Sequence, residues 1–468
     1  MASLSALPSE LLSEIVGNVY SSTKLNPNHS ITPLRLVNRR LSLIARPFLY
    51  RGFVGSICRI RGFLRRLHRE PELGNYTLSV RLSWAYGDNR DVDEVNPEYY
   101  SNDELDADIE CWEATTRQLG LPKGHILHIP LDDDREMRSS GYSRVCAMLL
   151  LLKLRNLKSL AVNSEHNYAL FTNEPAVWIS TTSLVPALES FTSFHDVYGT
   201  KPNERVHISC YLSIMKSAPR LKHFKGHRCF GMYQDDCDGG WPYLRASQMR
   251  DMFGTNNYSN FTSLEFTNSD IDGNFFGWFF GYTKHLRSFT YEFQSKDNTA
   301  LFELGAYGYA LRKVRMTLEE LRIIFAPGHL SGPHDRWFRG TLGSFEDFPR
   351  MTRLTTEFKF LSVYHHQPQL NLIDVLPRRL RHLTILHTDW RTESRCVMLQ
   401  HVLGVAEKYA ADIKAVGESK LEELDVYRVP LFENSDYEKI IICYLIEYCT
   451  KVGLRLRLGT EKDVYPPL

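Results

Sequence analysis

The amino-acid sequence predicts an α+β / α/β solenoid, with a small N-terminal helical module followed by a long arc of alternating short strands and helices. Three observations predict it. Apolar residues recur at helical spacing near the N-terminus, and a short apolar phrase then returns nine times between Leu157 and Val426. Amphipathic stretches lie between several of its copies. The boundaries read from these patterns are 1–52 for the helical module, 53–72 for a linker helix region and 73–468 for the repeating body, with an acidic loop at 87–110.

Pro8 suits a first helical turn, where its missing N–H has no intrahelical partner to lose. Leu11, Leu12, Ile15, Val16 and Val19 then make one apolar stripe. In a second helix Thr32 is the N-cap, Pro33 takes the first helical position, and Leu34, Val37, Leu41 and Ile44 step by three and four. Pro47 is expected to end or redirect that helix. So short a module hides little apolar surface by itself, so either the rest of the chain or a partner covers the remainder.

The phrase in the body reads apolar, two residues, apolar, one residue, usually apolar. Examples are Leu157-Leu160-Val162, Phe261-Leu264-Phe266, Leu318-Leu321-Ile323 and Leu421-Leu424-Val426, and successive copies start 25 to 41 residues apart. The alternation at its end places a strand in each unit. Helices are expected over Tyr142 to Leu154, Val206 to Ser217 and Ser394 to Ala415, giving a parallel sheet on one side and helices on the other. Asp436 to Lys451 reads as a last helix with Gly453 as its C-cap. Leu454 to Leu458 reads as an edge strand whose arginines discourage further pairing. Asn75 to Trp84 is the expected opening strand, so the sheet is expected to start near Leu73.

A net charge of +1 sets up no global field favouring nucleic acid, a membrane surface or an acidic substrate. The ten arginines between Ile31 and Arg69 fit solvated helix faces better than a nucleic-acid patch, because no base-reading or stacking motif accompanies them. The acidic run from Asp88 to Glu110 repels itself and reads as a loop. Nine scattered cysteines without a C-x-x-C fit a reduced, intracellular compartment, cytoplasmic or nuclear. Met148 to Leu152 is too short an apolar run to span a bilayer, so no membrane association is expected.

No phosphate loop, dinucleotide fingerprint, H-E-x-x-H or nucleophile elbow is present, so no catalytic residue and no cofactor is expected. His223, His227, Cys229 and Cys237 beside Asp235, Asp236 and Asp238 are the nearest approach to a metal set. Their spacing matches no standard zinc finger, and an ordinary loop is the preferred reading. His125 with His128, and His365 with His366, have no companion ligands nearby. The run Phe275 to Tyr282 is expected to form core on the helix side, with a ligand pocket as the alternative. Trp241, Trp337 and Trp390 are candidate recognition anchors if exposed.

Leu7-Pro8-Ser9-Glu10-Leu11-Leu12-Ser13-Glu14-Ile15-Val16, Leu34-Arg35-Leu36-Val37-Asn38-Arg39-Arg40-Leu41 and Pro47-Phe48-Leu49-Tyr50-Arg51 together resemble an F-box. The resemblance implies that Leu7, Pro8, Leu11, Leu12, Ile15, Leu36, Val37 and Leu41 dock a Skp-type adaptor and, through it, a cullin. The phrase of the body resembles an irregular leucine-rich repeat, best in Leu157-x-x-Leu160-x-Val162-Asn163. Taken together, the two resemblances imply a non-catalytic substrate-recognition subunit of a Skp–cullin–F-box ubiquitin ligase, binding an unidentified target protein through its repeats. The rival readings are a ligase-independent repeat scaffold and a metal-dependent enzyme using the His223 to Cys237 region.

Overall fold

A computed structural model describes residues 7–22, 31–83, 113–114, 117, 147, 149–163, 185–194, 206–208, 211, 214–215, 218–231, 260–294, 302–326, 338–361, 372–387, 392–416, 421–427 and 436–459. The fold is mixed α/β around parallel strands. It falls into two units, Met1–Val206 with Cys210–Leu221, and His207–Ser209 with Lys222–Leu468.

The first unit opens with helices α1 (Ser9–Ser22), α2 (Leu34–Val37) and α3 (Arg39–Leu49). They are followed by strand β1 (Gly52–Ser56), α4 (Ile57–Arg69), the short α5 (Leu73–Tyr76), and strands β2 (Ser79–Ser83), β3 (Ser159–Asn163) and β4 (Ser190–Phe194). The four strands lie side by side in chain order, with Phe53 opposite Val80, Val80 opposite Leu160 and Leu160 opposite Phe191. Sequence reasoning missed β1. Gly52-Phe-Val-Gly-Ser carries two glycines and no sustained alternation, and it becomes a strand because β2 supplies its pairing. The sheet therefore begins at Gly52 rather than near Leu73, and the expected linker region holds α4, whose Ile60, Leu64 and Leu67 are buried at helical spacing. A second difference is at Val206, expected in a helix: Val206–His207 is extended, and among the described residues beyond it Tyr211, Ile214 and Met215 are helical.

In the second unit the main strands are β5 (His223–His227), β6 (Ser263–Ile271), β7 (Ser288–Phe293), β8 (Glu320–Phe325), β9 (Arg353–Glu357), β10 (His382–Leu386), β11 (Glu423–Tyr427) and β12 (Arg455–Gly459). They too are parallel neighbours in chain order. Every copy of the phrase falls on one of the strands of the two units. Its middle residues align across the second unit, Phe224 with Leu264, Phe289, Leu321, Leu354, Leu383, Leu424 and Leu456 in turn. A slip by one residue would turn this whole row to the opposite face, so burial fixes the register.

The first apolar residue of the phrase is buried just ahead of each strand, as at Leu286, Leu318, Met351 and Leu380. One carbonyl of the preceding strand's turn accepts from two successive amides there. Thr262 O takes Arg287 N at 2.9 Å and Ser288 N at 3.0 Å, Arg287 O takes Glu319 N and Glu320 N at 2.7 and 2.9 Å, and Glu319 O takes Thr352 N and Arg353 N at 2.8 and 3.2 Å. The repeated bond satisfies the backbone of each turn and holds neighbouring strands in step.

Helices α6 (Gly273–Phe279), α7 (Leu304–Arg312), α8 (Thr392–Val416) and α9 (Asp436–Val452) fill intervals between strands. Asp272 caps α6, its carboxylate accepting from Asn274 N at 2.9 Å. The aromatic run forms core. Phe276 is fully buried and packs on Phe266, Phe289, Tyr291 and Tyr307 with ring centroids 5.2 to 5.8 Å apart. Two buried tyrosines secure the irregular end of β6: Tyr291 Oη accepts from Ile271 N at 2.9 Å, and Tyr307 Oη donates to Ile271 O. Helix α9 ends as the sequence predicts. Gly453 sits at φ 72°, Leu454 N donates to Cys449 O at 2.9 Å, and Gly453 N donates to Thr450 O at 3.3 Å, the paired bonds of a Schellman cap.

Candidate functional site

Two surfaces are candidates for a functional role, and the docking residues implied by the sequence belong to the first. The first is the helical module. Helix α1 starts where Pro8 O accepts from Leu12 N at 3.1 Å, and α2 starts where Pro33 O accepts from Leu36 N at 3.0 Å. The second helix is not continuous. Asn38 is extended (φ −162°, ψ 167°) and divides it, and its side chain accepts from Leu41 N at 2.8 Å, which makes it the N-cap of α3. Pro47 lies inside the last turn of α3 and does not end it; the helix runs on to Leu49.

Val16, Ile31 and Ala45 form a small core, with Val19, Tyr20, Leu34, Ile44, Phe48 and Leu49 packed against it. Leu12 and Leu41, both implied as docking residues, are 1% and 2% exposed and hold the helices together. The other implied residues face outward. Leu11 and Ile15 are 46% and 40% exposed, one helical turn apart on α1, and Leu36 and Val37 are 86% and 63% exposed on α2. Pro8 is exposed and Leu7 half-buried. Leu43 on α3, which the motif does not mark as a docking residue, is also 59% exposed.

The module is tied to the neighbouring elements of its unit. Arg46 on α3 pairs with Glu70 and, at 3.2 Å, with Glu72 beyond α4. Arg51 O accepts Leu78 N at 2.8 Å and Ser79 N at 3.2 Å, the first instance of the repeated turn bond. Within the module Arg40 donates to Ser9 Oγ at 3.0 Å, and Tyr20 packs on Phe48 with centroids 6.2 Å apart. The outward leucines are thus carried on a braced support.

The second surface is the polar face of the sheet in the second unit, formed by the residues between the phrase's apolar positions. Neighbouring strands align Lys225 with Glu265, Glu265 with Thr290, Thr290 with Arg322, Arg322 with Thr355, Thr355 with Thr384, Thr384 with Asp425, and Asp425 with Arg457. Opposite charges meet across it: Lys225 with Glu265 at 2.6 Å, Arg322 with Glu292 at 3.5 Å, and Arg455 with Glu423 at 2.6 Å. The hydrogen bond from His382, at 2.9 Å, is the main cause holding the Glu423 carboxyl below its usual range, with Arg455 and Arg457 adding to it. Burial pushes the Asp425 and Glu292 carboxyls up, against the opposing pull of Arg457 and Arg322 respectively. The alternation of the phrase already implies this face, but periodicity gives a side chain's direction and not its partners, so the ion pairs emerge only in three dimensions.

Of the candidate metal set, His223 is exposed, His227 Nδ1 lies 2.8 Å from Thr267 Oγ1, and buried Cys229 donates to His227 O at 3.8 Å. Among the described residues no group of three or more His, Cys, Asp or Glu side chains is placed to hold a metal ion. Cys237, Asp235, Asp236, Asp238, His125, His128, His365, His366, Trp241, Trp337, Trp390 and the loop 87–110 lie outside the described residues. Among the described residues no helix is long and apolar enough to cross a membrane.

No family model matches the chain, and no curated protein is significantly similar to it.

Proposed function

We propose that this chain is the substrate-recognition subunit of a Skp–cullin–F-box ubiquitin ligase. The observation that carries the proposal is the outward placement of Leu11, Ile15, Leu36 and Val37 on a helical module that already has its own core. Apolar side chains left in water on a braced support suit a partner, and the F-box resemblance names that partner as a Skp-type adaptor. Burying a large aliphatic side chain contributes about 1.5–3 kcal/mol. Four of them offset a large share of the association cost of a protein complex.

The repeating body is proposed to be an irregular leucine-rich-repeat-like arc that holds the target. Its in-register parallel strands support that reading. The chain acts by proximity. It brings a target lysine near a ubiquitin-charged conjugating enzyme, turning a bimolecular encounter into an effectively intramolecular step. No residue of the chain touches the reacting bond, and no cofactor is needed. A ligase-independent scaffold would share the same body but would leave the outward leucines without a purpose.

The test is co-expression of the full chain with a Skp-type adaptor. Stoichiometric co-purification that is lost on Leu11→Asp with Ile15→Asp supports the proposal. Failure of a well-folded wild-type chain to capture any such adaptor favours the scaffold.

A further inference from the structure

The turns that lead into β7, β8, β9 and β10 line one edge of the sheet, because these strands are parallel, adjacent and in register. Each acidic residue on those turns already has a cation within reach. Glu319 lies 3.8 Å from Arg287, Asp347 lies 3.7 Å from Arg315, and Glu346 lies 2.5 Å from Arg378. At the first residue of β8, Glu320 lies 2.9 Å from Arg353. What remains is surplus positive charge. Lys284 before β7, Arg350 before β9 and Arg379 before β10 are exposed, and among the described residues none of them has an ion-pair partner. Between them, before β8, Met316 is 60% exposed.

We propose that this edge is a docking site for an extended acidic peptide segment bearing an apolar side chain, the carboxylates meeting Lys284, Arg350 and Arg379 and the apolar group meeting Met316. Strands lie about 4.8 Å apart, so the three cations span on the order of 15 Å, the reach of roughly four or five extended residues. Nucleic acid fits less well. A phosphate backbone carries uniform charge and would meet Glu319, Glu346 and Asp347 on the same edge, whereas a peptide places its carboxylates individually. The exposed methionine supplies an adaptable apolar contact. Within the ligase reading, on which this assignment of a target rests, the edge takes the target's recognition segment. Peptide binding can be measured without any adaptor, so its failure leaves adaptor docking untouched.

The test is fluorescence anisotropy with the full-length chain and four labelled probes: a glutamate-rich peptide containing one leucine, its leucine-free analogue, a lysine-rich peptide of equal length, and a single-stranded oligonucleotide matched in charge to the first. The acidic peptide is expected to bind saturably and to weaken as salt is raised. Lys284→Glu combined with Arg350→Glu and Arg379→Glu is expected to lower its affinity by at least about tenfold with an unchanged circular dichroism spectrum. The milder Arg350→Gln with Arg379→Gln should give a smaller loss in the same direction, and Met316→Ser should weaken the leucine-containing peptide but not its leucine-free analogue. Undiminished binding by folded variants overturns the proposal. So does equal binding of the lysine-rich peptide, or tighter binding of the oligonucleotide than of the acidic peptide.

Discussion

Gly308 is the position at which the packing of the body is most sharply exposed to test. It lies buried in α7, and a Cβ built there would collide with Leu342 O and stand 2.8 Å from its carbonyl carbon, against 3.4 Å or more in ordinary contact. The obstacle is backbone and cannot swing aside as a flexible side chain would. Leu342 N is itself engaged, donating to Phe360 O at 2.9 Å, so moving the stretch of chain around Leu342 strains a second element. Overpacking of this kind costs about 1–3 kcal/mol and here should reach the upper part of that range. Alanine's helix propensity returns about 1 kcal/mol relative to glycine. Gly308→Ala should therefore destabilise the second unit by about 2 kcal/mol, a fall of roughly 4–8 °C in its Tm if that unit melts as a domain of its size. Gly305→Ala in the same helix is the control. Nothing lies within 4 Å of its Cβ, so the substitution should be neutral or stabilising by about 0.5 kcal/mol. Thermal unfolding followed by circular dichroism reads both. A Gly308→Ala protein as stable as wild type would refute the close approach of α7 to Leu342.

The same contacts lead to other expected outcomes. Leu12→Ala and Leu41→Ala, which remove buried side chains of the module, should each cost about 2–5 kcal/mol in the first unit by chemical denaturation, whereas Leu36→Ala should leave stability unchanged. Asp272→Ala removes the cap of α6 and should cost about 1 kcal/mol in the same measurement. Burial pushes the Cys449 thiol up to about 11, so at pH 8 mass mapping should find iodoacetamide on exposed Cys443 and on Cys449 only after unfolding. The Glu423 carboxyl is held below its unfolded value by His382 and then Arg455, so its stabilising contribution is present above about pH 4.3 and is lost as pH falls through the folded value. Glu423→Gln should thus lower Tm near neutral pH and converge on wild type in acid. Asp425 has the opposite sign, since its raised carboxyl is unfavourable when ionised, and Asp425→Asn should gain stability at neutral pH and none in acid.

Strands β3 to β11 are legible in the sequence because each carries the phrase, and an apolar residue at its first and middle positions has only one side to go. Leu286 and Phe289, or Leu380 and Leu383, show the rule directly. Helices α8 and α9, with Gly453 closing the latter, are legible for the same local reasons. β1 is not, because pairing with β2 and not its own composition makes it a strand. The break at Asn38 is hidden inside a good apolar stripe, since a side-chain cap competes with helix continuation and the stripe does not reveal which wins. Periodicity places Leu11, Leu12, Ile15, Leu36, Val37 and Leu41 on helices, but it does not separate Leu12 and Leu41, which face the neighbouring helix, from the four that face water. The basic strand-start edge is hidden as well, because its surplus charge emerges only after the ion pairs have been assigned.

Calorimetric titration of the purified full-length chain with a Skp-type adaptor tests the central claim most directly, using wild type beside Leu36→Glu with Val37→Glu. Both substituted positions are outward-facing, so the two proteins should melt at the same temperature. The account predicts saturable one-to-one binding by the wild type and a loss of at least about 100-fold in the variant, the equivalent of about 3 kcal/mol from two apolar contacts and two newly buried charges. Equal binding by the two proteins, or no binding by a folded wild type, would contradict it.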